Sequence, residues 1–475
     1  MSITHVTELL SPAGSLKNMR YAFAYGADAV YAGQPRYSLR VRNNEFDHDN
    51  LAIGIQEAHA LAKKFYVVVN IQPHNSKLKN FIRDLTPIIA MQPDALIMSD
   101  PGLIMMVREH FPDMQIHLSV QANAVNWATV QFWKNMGLSR VILSRELSLE
   151  EIEEIKQHVP DMEIEVFVHG ALCMAYSGRC LLSGYMNKRD ANQGACTNAC
   201  RWQYKIHNAV ENETGDVIPV QQLDHACCSN ADVDHQSTSD GLDLDEKHML
   251  EQHQFAAPVL LQRNEEEMFA AEEDEHGTYM MNSKDLRAVQ HVERLVNMGI
   301  HSLKIEGRTK SYFYCARTAQ IYRKAIDNAL AGQPFDPALM KQLEGLANRG
   351  YTEGFLKRHA HTEYQNYSTG NSNFEHQQFC GEVLERQGQF IKIDVKNRFE
   401  VGDHLELMTP AGNIQFQLTE ILDTRGQNIP VAKGSGHEVL IPAPADINMD
   451  YALLIRHFNQ SNEDITAVSL AYSAT

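Results

Sequence analysis

One rhythm dominates the first 335 residues of this chain: a short apolar or β-branched run, a polar or Gly-containing loop, then a segment of helical periodicity. Eight such runs occur, at Val6–Leu10, Ala29–Ala32, Tyr66–Ile71, Ala95–Met98, Gln115–Val120, Arg140–Leu143, Ile164–Val168 and Ser302–Ile305. Helical segments such as Ser15–Tyr25, Ala124–Met136 and Leu149–His158 lie between them. Alternation of strand and helix predicts an α/β fold. Eight units within about 300 residues favour a (β/α)8 TIM-like barrel over a doubly wound open sheet. The seventh unit is interrupted, because 133 residues separate Val168 from Ser302. This long insertion after strand 7 carries a cysteine-rich segment, 173–200, and an acidic one, about 207–276.

At 475 residues the chain exceeds one barrel. The rhythm changes after a helical connector at 336–375: from 376 to 458, short strands such as QFIKIDV, HLELM and HEVLIP alternate with turn signals. They predict a small C-terminal antiparallel β-barrel domain, with 459–475 as a tail. The net charge is -18, yet 207–276 alone holds 18 Asp and Glu against Lys247 and Arg263. The remainder is nearly balanced, so a polyanionic partner is not excluded. Asp224–Glu251, polar and without apolar periodicity, reads as a dispensable loop. No apolar run approaches the ~20 residues of a membrane span, and Met1–Leu10 lacks the features of a signal peptide. The expectation is a cytoplasmic protein with no membrane partner.

Four of the eight cysteines, Cys173, Cys180, Cys196 and Cys200, fall within 28 positions. In a reducing compartment such density favours a metal or cluster site over disulfides. Four thiolates can hold a [4Fe-4S] iron-sulfur cluster or a tetrahedral zinc ion. Only Cys196 and Cys200 have the short hook usual for structural zinc, so the spacing leans toward iron-sulfur, with zinc and ordinary buried thiols as alternatives. The segment leaves strand 7 at the carboxyl end of the barrel, where active sites of this fold sit. Cys227, Cys228 and Cys315 read as a surface pair and a packed thiol.

The other strand exits are polar: Asn70 and His74, Ser99–Asp100, Gln121 and Asn123, Ser144–Arg145–Glu146, His169, and Glu306–Gly307–Arg308 with Lys310. Any one of these is ordinarily a helix cap or a loop hydrogen bond. Their recurrence at one end of successive strands points to a shared pocket. His169, Glu306 and Asn70 are the candidate catalytic groups; Arg145, Arg308, Gln121, Asn123 and Lys310 are candidates for substrate binding. Paired hydrogen bonds from arginine suit a carboxylate, so an anionic small molecule is the expected guest. Arg36, Arg40 and Arg42 around Tyr37, and Lys188, Arg189 and Arg201 beside Trp202 and Tyr204, combine cations with aromatic rings. That combination suits RNA, although solvated arginines paired with nearby acids would look the same.

The stretches EVFVHGALCMAYSGRCLLSGY (Glu165–Tyr185) and NKRDANQGACTNACRW (Asn187–Trp202) resemble the collagenase-like peptidase family. The opening Glu8–Phe46, with GTYMMNSKDLRA (Gly277–Ala288) and SLKIEGRTKS (Ser302–Ser311), resembles those members of it that hydroxylate tRNA. The resemblance covers nearly the whole chain apart from the acidic segment. It implies prephenate-dependent hydroxylation of the wobble uridine of tRNA to 5-hydroxyuridine. It further implies a [4Fe-4S] cluster on Cys173, Cys180, Cys196 and Cys200, with prephenate as co-substrate. The implied partners are the tRNA anticodon arm and iron-sulfur assembly proteins. The phrase VGDHLEL (Val401–Leu407) resembles part of the β-barrels of translation factors, consistent with an RNA partner. Two rival functions stand beside this one: a peptidase, and a non-catalytic metal-binding RNA-binding factor. Neither HExxH nor GxSxG occurs. Four close cysteines are also better explained as ligands than Cys173 with His169 as nucleophile and base.

Overall fold

The computed structural model describes residues 6–34, 36–39, 45–172, 285–346, 350–357, 377–444 and 447–458 in full, and between 205 and 278 the backbone of strands. Two compact units result, Met1–Thr197 with Ser283–Thr475, and Asn198–Asn282.

In the first unit, β1 (Glu8–Pro12), β2 (Ala29–Gly33), β3 (Lys64–Val69), β4 (Ala95–Met98), β5 (Ile116–Leu118), β6 (Arg140–Ile142) and β7 (Glu163–Ala171) pair in parallel, each with the next. The insertion contributes β8 to β12, described below, and is followed by β13 (Asp285–Arg287) and β14 (Ser302–Ile305). Strand β14 pairs in parallel with both β1 and β7, which closes an eight-stranded barrel. The eight runs read from the sequence are these eight strands, with β1 and β3 displaced by two residues. Both faces of the strands are buried, which is why they read as near-continuous apolar runs.

The helices begin just beyond the strand exits, and their first residues explain several polar loop positions. Ser15, Asp47, Asp100, Asn126, Ser148 and Ser311 each cap a helix by accepting a backbone N–H, and Ser148 forms a capping box with Glu151. Asp100 is therefore spoken for as a cap.

Strand β7 runs past its partner β6, leaving an unpaired edge that β13 takes up in antiparallel register, His169 opposite Arg287. β15 (Tyr351–Thr352) then adds to β13. Within the connector expected to be helical, the described residues form an α-helix at Ala338–Glu344, then β15, then a 3-10 turn at Gly354–Lys357.

Seven C-terminal strands form one antiparallel sheet in the order Gly412–Gln417, His404–Thr409, Leu453–His457, Gln377–Gln387, Phe390–Val395, His437–Pro442 and Leu422–Asp423, and Phe399–Glu400 pairs separately with Val431–Ala432. Alternate residues, among them Ile391, Ile393, Leu405, Leu407, Val439 and Ile441, make its core.

In the second unit, β8 (Lys205–Glu211), β9 (Val217–Pro219), β10 (Ala257–Asn264), β11 (Glu267–Asp274) and β12 (Gly277–Thr278) form an antiparallel sheet in the order β12-β11-β10-β8-β9. The flanks of the acidic segment are therefore strands, which its charge concealed. Asp224–Glu251 lies outside the described residues. Among those described, no helix is long and apolar enough to cross a membrane.

Candidate active site

Inward positions of barrel strands ordinarily carry branched apolar residues. Here they carry charge. From the floor, Glu8 of β1 accepts from Arg140 Nη1 (2.6 Å), from the Tyr66 hydroxyl (2.7 Å) and from Ser302 (3.0 Å). Arg140 also reaches Glu165 (3.1 Å), and Glu165 accepts from Lys304 Nζ (2.8 Å). A ladder of alternating sign thus climbs the barrel axis through residues that are almost wholly buried. Burial would raise the Glu8 carboxyl, but Arg140 with Tyr66 and Lys64 outweighs it and holds the group below its ordinary value. His117 beside this ladder is pushed well down by burial and by Arg140, Lys304 and Lys64, so it stays neutral.

At the mouth, cations and rings alternate. The Arg145 guanidinium lies 4.5 Å from the Phe167 ring, and Lys304 Nζ lies 5.5 Å from Phe167 and 4.2 Å from Tyr31. The Arg308 guanidinium lies 5.8 Å from Tyr31. Arg145 donates to the Ala171 carbonyl and Arg308 to Ser38 Oγ (2.8 Å). The Tyr31 hydroxyl bonds the Ile305 carbonyl (2.8 Å) and the Glu306 carboxylate (3.2 Å). Arg145, Glu306 and Arg308 are therefore brought together, as strand exits of one barrel should be. Buried Arg145 Nε and Ser144 Oγ have no hydrogen-bond partner among the described residues, so the mouth holds donor capacity that an anionic guest would use.

Asn70 acts through the rim. Its Oδ1 accepts from Leu39 N (3.2 Å) and its Nδ2 donates to Ser119 (3.2 Å) and Gln121 (3.0 Å), tying the loop after β2 to the exit of β5. Asn123 holds a left-handed φ of 52° and donates to the Gln121 carbonyl (3.2 Å). The His169 carbonyl accepts from Glu306 N (2.8 Å), and its ring packs 5.5 Å from Tyr322, 5.5 Å from Tyr351 and 5.8 Å from Tyr314. Burial first, then Lys310 and Arg287, pushes its pKa down to about 3. A neutral imidazole in an aromatic cage is the result. Lys310 belongs to the same neighbourhood, with Nζ 5.4 Å from the Tyr314 ring. Arg36 pairs with Asp84 (2.5 Å), which also holds Arg83 (3.0 Å). Arg40, Arg42, Lys188, Arg189 and Arg201 lie outside the described residues.

The same is true of Cys173, Cys180, Cys196 and Cys200, although β7 delivers the chain to them one residue past Leu172. Cys315 and Cys380 are free, buried, and have thiols that burial pushes up to about 12, which is the character of packing residues. Among the described residues no group of three or more His, Cys, Asp and Glu could hold a metal.

Tyr31, Phe167 and Lys304 escaped the sequence reading because they lie inside strands rather than at their exits. The available signal was charge: Glu8, Arg140, Glu165 and Lys304 interrupt apolar strands, and a charge buried on both sides needs a partner.

Residues 14–366 match Peptidase family U32, and residues 375–456 match the C-terminal domain of that family. The chain is 64% identical to "tRNA hydroxylation protein P" of Escherichia coli over 95% of this chain and 97% of that protein. It is 62% identical to the Haemophilus influenzae protein of the same name, over 96% and 97%. A more distant relative is the Escherichia coli "23S rRNA 5-hydroxycytidine C2501 synthase", 29% identical over 68% of this chain and 40% of that protein. By these matches, across both its barrel and its C-terminal sheet, the chain belongs to Peptidase family U32.

Proposed function

We propose that this protein is an RNA-hydroxylating enzyme acting on the wobble uridine of tRNA, with prephenate as co-substrate and an iron-sulfur cluster at the barrel mouth. The observation that carries the reading is the near full-length similarity to two proteins named for tRNA hydroxylation, joined by a relative named for hydroxycytidine in ribosomal RNA. The mouth supports it physically. Arg145, Lys304 and Arg308 outnumber Glu165 and Glu306 around the two rings, a setting that favours an anion of small size. Cys173, Cys180, Cys196 and Cys200 would hold the cluster, which supplies one-electron chemistry when bound. Arg145 and Arg308 bind and orient the co-substrate. Asn70 fixes the rim, and Glu306 is the carboxylate placed to hold or move a proton.

The peptidase reading would pair Cys173 with His169, and the His169 imidazole is packed among Tyr314, Tyr322 and Tyr351, which disfavours it as a general base. The test is the mass of the wobble nucleoside in tRNA from cells lacking this protein. Loss of one oxygen from that nucleoside, restored on complementation, is the expected result. Unchanged nucleoside masses would overturn the reading.

A further inference from the structure

We propose that the rim beyond β2 and β3 is a docking surface for the phosphate backbone of tRNA, with Lys79 and Arg83 as contacts alongside Arg36. The inference rests on the reading of tRNA as the substrate and names a surface that holds it beside the mouth. Residues 70–83 carry His74, Lys77, Lys79 and Arg83 and not one acid. This segment follows β3 directly, so it starts at the carboxyl end of the barrel, where Arg145, Glu306 and Arg308 gather. It is also fixed to the mouth. Tyr37, buried in the loop after β2, packs its ring 5.2 Å from Phe81 at the start of the helix Phe81–Ala90, and its hydroxyl donates to Asp84 (3.0 Å). The same loop offers Ser38 Oγ to Arg308 (2.8 Å) and Leu39 N to Asn70 (3.2 Å).

Cations outnumber acids on this side of the rim. One carboxylate, Asp84, gathers two guanidinium groups, Arg36 at 2.5 Å and Arg83 at 3.0 Å. Their side chains remain 60% and 70% exposed, so both keep N–H groups toward solvent. Lys79, exposed and in no ion pair among the described residues, adds a third cation. Arg36, Arg83 and Asp84 line one side of an open cavity of about 410 Å³, and Asp47 and His48 line the other. There Asp47 caps the helix His48–Ala60, with Asp49 in its first turn. Cations on one wall and acids on the other decide how a polyanion lies: along Lys79 and Arg83, away from Asp47. Exposed cations of this kind position a backbone and read no base.

The experiment titrates fluorescently labelled tRNA with the full-length protein at a series of salt concentrations, after circular dichroism has established that each variant is folded. Lys79→Ala/Arg83→Ala is expected to weaken binding on the order of 10-fold at low salt and to flatten the logarithmic salt dependence by about two units, one for each lost phosphate contact. Arg83→Lys keeps the charge and is expected to keep the slope. The loss in the double variant should be equal for transcripts with uridine or cytidine at the wobble position. Lys134→Ala removes a cation from the last turn of the helix Trp127–Asn135, at the opposite end of the barrel, and should leave affinity and slope unchanged. Parent-like affinity and slope in Lys79→Ala/Arg83→Ala overturn the proposal. So does a loss confined to the uridine transcript, which would mean a base contact, and so does an equal loss in Lys134→Ala, which would mean an effect of overall charge. If the folded parent binds no tRNA even at low salt, the reading of tRNA as the substrate fails as well, which separates the two failures.

Discussion

Two glycines decide where the side chains following β14 stand. Gly170 has a φ of 103°, and a Cβ there would lie 2.4 Å from the Glu306 carbonyl oxygen. Gly307 has a φ of 148°, and its Cβ would lie 2.7 Å from the Tyr314 ring. Both need the left-handed freedom of glycine and the absence of a side chain at once. Gly170→Ala is accordingly expected to destabilise the protein by about 2 kcal/mol or more, read from urea unfolding. Gly33 makes room of another kind, because a Cβ there would meet Arg308 Nη1 at 2.6 Å. Arg308→Lys keeps the charge but loses the fork, and should weaken prephenate binding by about 1–3 kcal/mol with tRNA affinity little changed. Gly33→Ala should reproduce that loss by displacing the guanidinium, and calorimetry on both variants checks the pair. If Arg308→Lys bound prephenate like the parent, the clamp would be wrong. The sequence revealed Arg308 and Glu306 because they stand where a strand stops. Lys304 and Tyr31 stayed hidden because apolar neighbours made their strands read as uniform core.

At the scale of elements, legibility followed the length and purity of the pattern. The strand β4, ALIM between two turn signals, was readable to the residue, and the capped helices were readable from their Ser and Asp starts. Strands β13 and β15, of three and two residues, are too short to carry a period and exist because β7 overruns β6. In β11, EMFAAEED, four acids mask a strand that pairs with β10 from Glu267 to Glu273. The cysteine segment was legible by spacing alone and demands its own test. Anaerobically purified protein should be brown with about four irons per chain, and Cys173→Ala, Cys180→Ala or Cys196→Ala should abolish both colour and iron. Colourless protein with stoichiometric zinc, measured by metal analysis, would instead assign the four thiols to a structural ion.

Across the whole first unit, the C-terminal sheet is fastened to the barrel by a buried polar lock. Arg317, fully buried on the helix Tyr312–Leu330, donates to Glu406 at 2.7 Å, and Glu406 is also held by His457 (2.9 Å) and Asn413 (2.9 Å). Around this lock, Tyr25 donates to the carbonyls of Met408 and Tyr451, both at 2.9 Å, and Phe313 stacks on Phe379 at 4.8 Å. The sequence could not disclose the pairing, because its two charges lie 89 residues apart and each sits in an ordinary amphipathic element. Burial would raise the Glu406 carboxyl, yet Arg317 and His457 bring it down to about 2 from its ordinary 4.5. A carboxyl depressed on folding contributes its stability above its unfolded pKa and loses it as pH falls toward the folded one. That contribution, on the order of 3 kcal/mol, should therefore be complete above pH 4.5 and fade between pH 4.5 and about 2. Glu406→Gln orphans a buried guanidinium and should cost about 3–5 kcal/mol at neutral pH. Replacing both partners, Arg317→Met with Glu406→Met, leaves no stranded charge and should cost less than either single change. Urea unfolding of the parent and the three variants at neutral pH, repeated in acid, tests the whole argument. In acid the parent should converge on Glu406→Gln; a gap that stayed constant would remove the carboxylate from the account and leave packing of the two domains to explain their attachment.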